Sequence, residues 1–179
     1  IDNLKKLNID NINAPQYNLT KRLLHEQSLT LLKNELNLLP LKKLDTLKIA
    51  SVSVGKLQKS SFQSMLDKYA QIKHFYLNKD ANPKQIEELI KRLKDFNLII
   101  IGIHDLNLSP KNHFGVSPAT ELLMNHLTEK KKIMVLFGNP YSLKYIETTG
   151  NSLLVTYQEN RITQELSAQA IFGAIDIEG

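Results

Sequence analysis

Leu98-Ile99-Ile100-Ile101-Gly102-Ile103 contains no polar residue. A short run so rich in β-branched side chains reads as a strand, and one without alternation reads as a strand covered on both faces. That is the position of a strand in a parallel sheet between two layers of helices. Similar runs occur at residues 47–54, 72–77, 133–137 and 153–156. Between them the apolar spacing turns helical: Phe62, Met65, Leu66 and Tyr69; Ile86, Leu89, Ile90, Leu93 and Phe96; Ala119, Leu122, Leu123 and Leu127. A shorter pattern covers 141–146, and a last one runs over 161–172. Asn82-Pro83, Ser117-Pro118 and Asn139-Pro140 each place a capping side chain before a proline suited to the first helical position. Regular alternation of strand and helix predicts a three-layer α/β/α sandwich around a mainly parallel sheet of about five strands, with right-handed crossovers and a flavodoxin-like order 2-1-3-4-5.

The chain has 179 residues, enough for one domain with a sizeable core, and its 42% hydrophobic and 23% charged content is ordinary for a globular protein. It has no cysteine, which excludes disulfides, thiol catalysis and thiolate-bound zinc. The net charge of +5 is spread over helical faces. Its one tight cluster, Lys130-Lys131-Lys132, ends a helix, where cations complement the dipole. No focused basic stripe with stacking aromatics points to nucleic acid. No apolar run approaches the roughly 20 residues that cross a bilayer. Residues 1–18, rich in Asn and Lys, read as a segment arriving from something upstream, and the chain as a piece of a longer protein.

In a doubly wound sheet, ligands sit beyond the carboxyl ends of the strands, which directs attention to residues 55–60, 78–82, 104–117, 138–139 and 157–160. Gly55-Lys56 has no glycine upstream to build a phosphate-cradling loop, and no Gly-x-Gly-x-x-Gly occurs. His104-Asp105 superficially looks like the phosphoacceptor loop of a receiver domain. The acidic pair that would hold magnesium after the first strand is missing, because Ser51-Val52-Ser53-Val54-Gly55 stands there. No Gly-x-Ser-x-Gly marks a serine nucleophile. His104, Asp105 and His113 share the longest loop, 104–117, yet one Asp and two His are too few to specify a metal site. A loop of that length at the ligand edge is the candidate for function.

Three separated stretches resemble the C-terminal domain of glycoside hydrolase family 3. The first is Ser28-Leu29-Thr30-Leu31-Leu32-Lys33-Asn34-Glu35-Leu36-Asn37-Leu38-Leu39-Pro40-Leu41, similar to the family's entry into that domain. Leu19, Leu23, Leu24, Leu31 and Leu32 keep roughly helical spacing, so this entry is expected to lay an apolar helical face on the domain. The second is Ile133-Met134-Val135-Leu136-Phe137-Gly138-Asn139-Pro140-Tyr141, similar to the family's strand running into a Gly-Asn-Pro turn. The third is Leu153-Leu154-Val155-Thr156-Tyr157, followed by Ala168-Gln169-Ala170-Ile171-Phe172-Gly173, which resembles the closing helix and its Phe-Gly turn.

The resemblance implies that residues 1–18 link to an N-terminal (β/α)8 catalytic barrel outside this chain, and that 19–179 form the sandwich domain. In the family the aspartate nucleophile belongs to the barrel, and nothing here resembles its motif. Retaining hydrolysis needs two carboxyl groups about 5–5.5 Å apart. In β-glucosidase members a loop of the sandwich supplies the acid/base. The corresponding loop here, 104–117, contains Asp105 but no Glu. In the N-acetylglucosaminidase branch an Asp-His pair in the barrel does that work, and the acid-poor loop fits this branch. The resemblance therefore implies the accessory domain of a bacterial β-N-acetylhexosaminidase, with no catalytic residue in this chain, no cofactor and no metal. His104, Asp105 and His113 would line a substrate cleft shared with the barrel, and carbohydrate would be the ligand. The parent is expected in the periplasm or outside the cell, with a lipid anchor as one form of attachment. The reading from another class is a free-standing flavodoxin-like module that binds a small ligand at the strand ends.

Overall fold

The computed structural model describes residues 15–35 and 37–177. The chain runs α1 (Pro15–Ser28), β1 (Thr30–Asn34), β2 (Ile49–Val54), α2 (Ser61–Leu66), β3 (Ile72–Leu77), α3 (Pro83–Leu93), β4 (Leu98–Ile103), α4 (Pro118–His126), β5 (Lys132–Leu136), β6 (Asn151–Val155) and α5 (Arg161–Ile171). Short 3-10 turns occupy Leu44–Thr46, Pro110–Gly115 and Pro140–Tyr145. The linker expected at 1–18 lies mostly outside the described residues, and α1 runs across its proposed boundary.

Among the described residues the sheet has six strands in the order β1-β6-β5-β4-β2-β3, not five in the order 2-1-3-4-5. The five strands from β2 to β6 are parallel and, taken alone, keep the expected neighbours. The addition is β1, which pairs antiparallel with β6 at the sheet's edge. Leu31 and Leu32 therefore belong to a strand and do not extend the entry helix. The register slips between Leu31 and Lys33, and Leu32 stays 46% exposed.

Alternate residues of each strand feed two cores, as strand geometry requires. Ile99, Ile101 and Ile103 pack with Val52, Val54, Met134 and Leu136 beneath α3 and α4. Leu98 and Ile100 pack with Ile133, Val135 and Leu154 beneath α2 and α5. The cap signals are realised. Asn82 accepts the Gln85 N–H at 3.0 Å while the Gln85 side chain accepts the Asn82 N–H at 2.9 Å. Ser117 receives Thr120 N–H and Asn139 receives Tyr141 N–H. Sequence inspection had not singled out Ser60 with Gln63 or Asn160 with Thr163, which form two more reciprocal caps.

The opening and closing motifs meet in space. The Asn34 side chain bonds both the N–H and C=O of Leu39 and receives the Ser152 hydroxyl at 2.7 Å, which fixes the turn into Pro40. Leu41 N–H then donates to Ile171 C=O at 2.8 Å. Gly173, at φ +71°, sits so close to Pro40 that an added Cβ would lie 2.9 Å from the proline ring. The Phe-Gly turn is thus the seat for the Pro40 turn. Lys33 and Glu35 hold the neighbouring 148–150 loop, Lys33 through Thr148 Oγ1 and Glu35 through Gly150 N–H.

Candidate functional site

The loops after β2, β4 and β6 come together at the carboxyl edge of the sheet around a residue absent from the sequence-based candidates, Glu159. Its Oε1 lies 3.1 Å from His104 Nδ1, 3.3 Å from Lys56 Nζ and 3.2 Å from Gln164 Nε2. Its Oε2 accepts the Asp105 N–H at 2.7 Å. Burial would push this carboxyl up, but the bonds from His104 and Asp105, with the charge of Lys56, outweigh it and hold the pKa at about 2. Glu159 stands just before the cap of α5, in a loop that sequence reasoning had placed at the ligand edge.

His104 is completely buried. It lies two residues beyond Gly102 on the same face of β4, and its ring folds back over that glycine to stack on Phe137 at 4.5 Å and 16°. A Cβ on Gly102 would meet His104 Nε2 at 2.8 Å, Phe62 at 3.2 Å and Phe137 at 3.3 Å. The glycine inside an otherwise continuous isoleucine strand is thus the vacancy that admits the imidazole. Nε2 has no hydrogen-bond partner among the described residues. His104 holds the loop from below and offers no atom to a cleft.

Asp105 points the other way. At φ 55° its backbone reverses, its carbonyl accepts from Lys79, and its carboxylate, 66% exposed, pairs with the same lysine at 3.2 Å. His113 belongs to a third place. It stacks on Tyr145 with ring centroids 4.1 Å apart, and its Nδ1 lies 3.4 Å from Glu121. Phe114 lies beside it against Tyr141 and Tyr145, and both His113 and Phe114 adopt left-handed backbone. Glu159 thus joins His104 to the backbone of Asp105, while His113 has separate partners. Tyr141 is 75% exposed and Leu108 80%, which leaves an aromatic and apolar rim along the 104–117 loop and the 140–145 turn.

The chemistry open to this edge is limited. A general acid or base works best with a pKa near the operating pH, and Glu159 is far below it and fully partnered. Among the described residues no three of His, Cys, Asp and Glu gather as a metal would need.

No protein-family model matches the sequence, and no curated protein does. Solved structures do. A fungal multi-domain family 3 β-N-acetylglucosaminidase matches 97% of this chain with a TM-score of 0.67 at 22% identity. A family 3 β-N-acetylglucosaminidase from Paenibacillus sp. str. FPU-7 matches 94% with a TM-score of 0.70 at 12% identity. The β-glucoside phosphorylase BglX matches 95% with a TM-score of 0.68 at 18% identity. The fold is that of one part of family 3 glycosidases. The chain spans only 20% of the fungal structure and 32% of each of the other two. The family whose structures share this fold is the one its three sequence stretches resemble. In this chain that fold carries the antiparallel β1, where Leu31 and Leu32 were expected to continue the helical spacing, and a turn into Pro40 held by Asn34.

Proposed function

We propose that the chain is the C-terminal accessory domain of a family 3 glycoside hydrolase acting on β-linked sugars, with terminal β-N-acetylglucosaminides as substrate. The observation that carries this is a whole-domain match to a minor part of family 3 glycosidase structures, combined with an edge whose inner carboxylate is locked in an ion pair. Such a domain braces a catalytic barrel and supplies no acid/base. The rim formed by Tyr141, Phe114 and His113 walls one part of the substrate cleft, and Asp105, at the other end of the same loop, another. Aromatic faces suit the apolar face of a sugar ring, and the carboxylate suits its hydroxyls. The parent would work in the periplasm or outside the cell. A flavodoxin-like module is the weaker reading, because Glu159, His104, Lys56 and Gln164 fill the strand ends where its ligand would sit.

Two measurements test the proposal. The isolated chain is expected to leave a nitrophenyl β-N-acetylglucosaminide uncleaved, and turnover by a preparation free of contaminants would refute it. The product of the native reading frame is expected to cleave it, and Tyr141→Ala there to raise KM severalfold with little change in kcat. A reading frame without a catalytic domain upstream sinks the proposal outright.

A further inference from the structure

Helix α1 has its polarity reversed. Its partly covered residues, Arg22, His25, Glu26 and Ser28, are all polar. Arg22 donates to Gln169 of α5 at 2.7 Å, and His25 lies 3.4 Å from Asn160. The apolar side chains described on this helix all face outward: Tyr17 is 51% exposed, Leu19 66%, Leu23 57% and Leu24 63%. An isolated surface helix does the opposite, turning its apolar stripe to the core. Four large apolar side chains on two turns exceed scattered surface leucines and mark a contact face.

We infer that this outward face of α1 docks against an apolar surface of an adjoining domain in the same polypeptide. The inference rests on the reading of the chain as one domain of a larger family 3 enzyme. Two observations select that occupant. Helix α1 is the first element of the domain, so any upstream domain is joined to it through the segment that precedes Pro15. The solved structures that share the fold devote most of their length to other parts, with 20% to 32% of each matched here. The polar inner face explains the arrangement: Arg22 and His25 attach α1 to α5 by hydrogen bonds, leaving the apolar side to make the larger contact. A helix held this way joins two bodies and belongs to the core of neither.

The test compares side-chain labelling by hydroxyl radicals in the product of the native reading frame and in the 179-residue chain, with light scattering on both. Labelling of Leu19, Leu23 and Leu24 is expected to be strong in the short chain and to fall severalfold in the long one. Leu23→Ser is expected to restore labelling at Leu19 and Leu24 in the long protein while leaving the short chain's melting temperature unchanged. Equal labelling in both proteins overturns the inference. So does weak labelling in the short chain, either as a monomer, with residues 1–14 covering the face, or as a dimer that Leu23→Ser dissolves. A native reading frame with no upstream domain removes the function reading itself, and is separable because it is read from the gene before any labelling.

Discussion

Replacing Glu159 by glutamine removes one charge from the point where three loops meet, and the structure sets the size of the effect. The gap between an ordinary 4.5 and about 2, at 1.36 kcal/mol for each factor of ten in proton affinity, corresponds to about 3 kcal/mol of stability at neutral pH. The side chain is only 19% exposed, so solvent screens little of this. Glutamine keeps part of the hydrogen bonding, and the expected loss is about 2–3 kcal/mol at pH 7. For a domain of this size that lowers Tm by about 5–10 °C. The sign with pH follows from the lowered value. Glu159 stabilises the fold fully above its unfolded pKa, and the contribution is lost as pH falls through about 4.5 toward 2. The gap between wild type and Glu159→Gln in urea denaturation is thus expected to shrink to less than half between pH 7 and pH 3. A gap under about 0.5 kcal/mol at pH 7, the range of ordinary surface substitutions, would refute the reasoning. A gap that stayed constant with pH would do the same.

Other substitutions probe the remaining supports. Gly102→Ala is expected to cost about 1–3 kcal/mol by overpacking, and clearly less in a His104→Ala background, as a double-mutant cycle in urea would show. Asn34→Ala removes the bonds to Leu39 and Ser152 and is expected to cost about 2–3 kcal/mol by chemical denaturation. Lys132, completely buried, donates to the carbonyls of Leu127 at 2.8 Å and Thr149 at 3.0 Å. Lys132→Met leaves both without that donor, and a loss of about 2 kcal/mol or more is expected in the same assay.

The parallel strands were legible because their burial on both faces writes itself into sequence as unbroken apolar runs such as 98–103. Strand β1 was not. It has a register slip between Leu31 and Lys33, which breaks the two-residue alternation, and the leucines before it continue a helical spacing that ends at Ser28. Leu19, Leu23 and Leu24 were expected to lie on the domain and instead face outward, because spacing alone does not say which way such residues turn. At the candidate site, His104 and Asp105 could be found as neighbours on a loop. Their organiser, Glu159, lies 55 residues further on, and only the closing of the sheet brings it under them. Gly102 could be read as an interruption in a strand, while the reason for it, an imidazole folded back over β4, needs three dimensions.

The antiparallel seam between β1 and β6 also sets an order of events during synthesis. Tyr157 reaches back to Thr30 across 127 residues, and Pro40 waits for Gly173. Nearly the whole domain must therefore leave the ribosome before its first strand acquires a partner. Any domain encoded upstream could complete its own folding during that interval. It would then present a finished surface to α1 while β1, the next element of the chain, still offered an open edge. A ribosome that stalls before residue 151 would release a chain whose entry strand has nothing to pair with, and that chain is the form most exposed to misassociation.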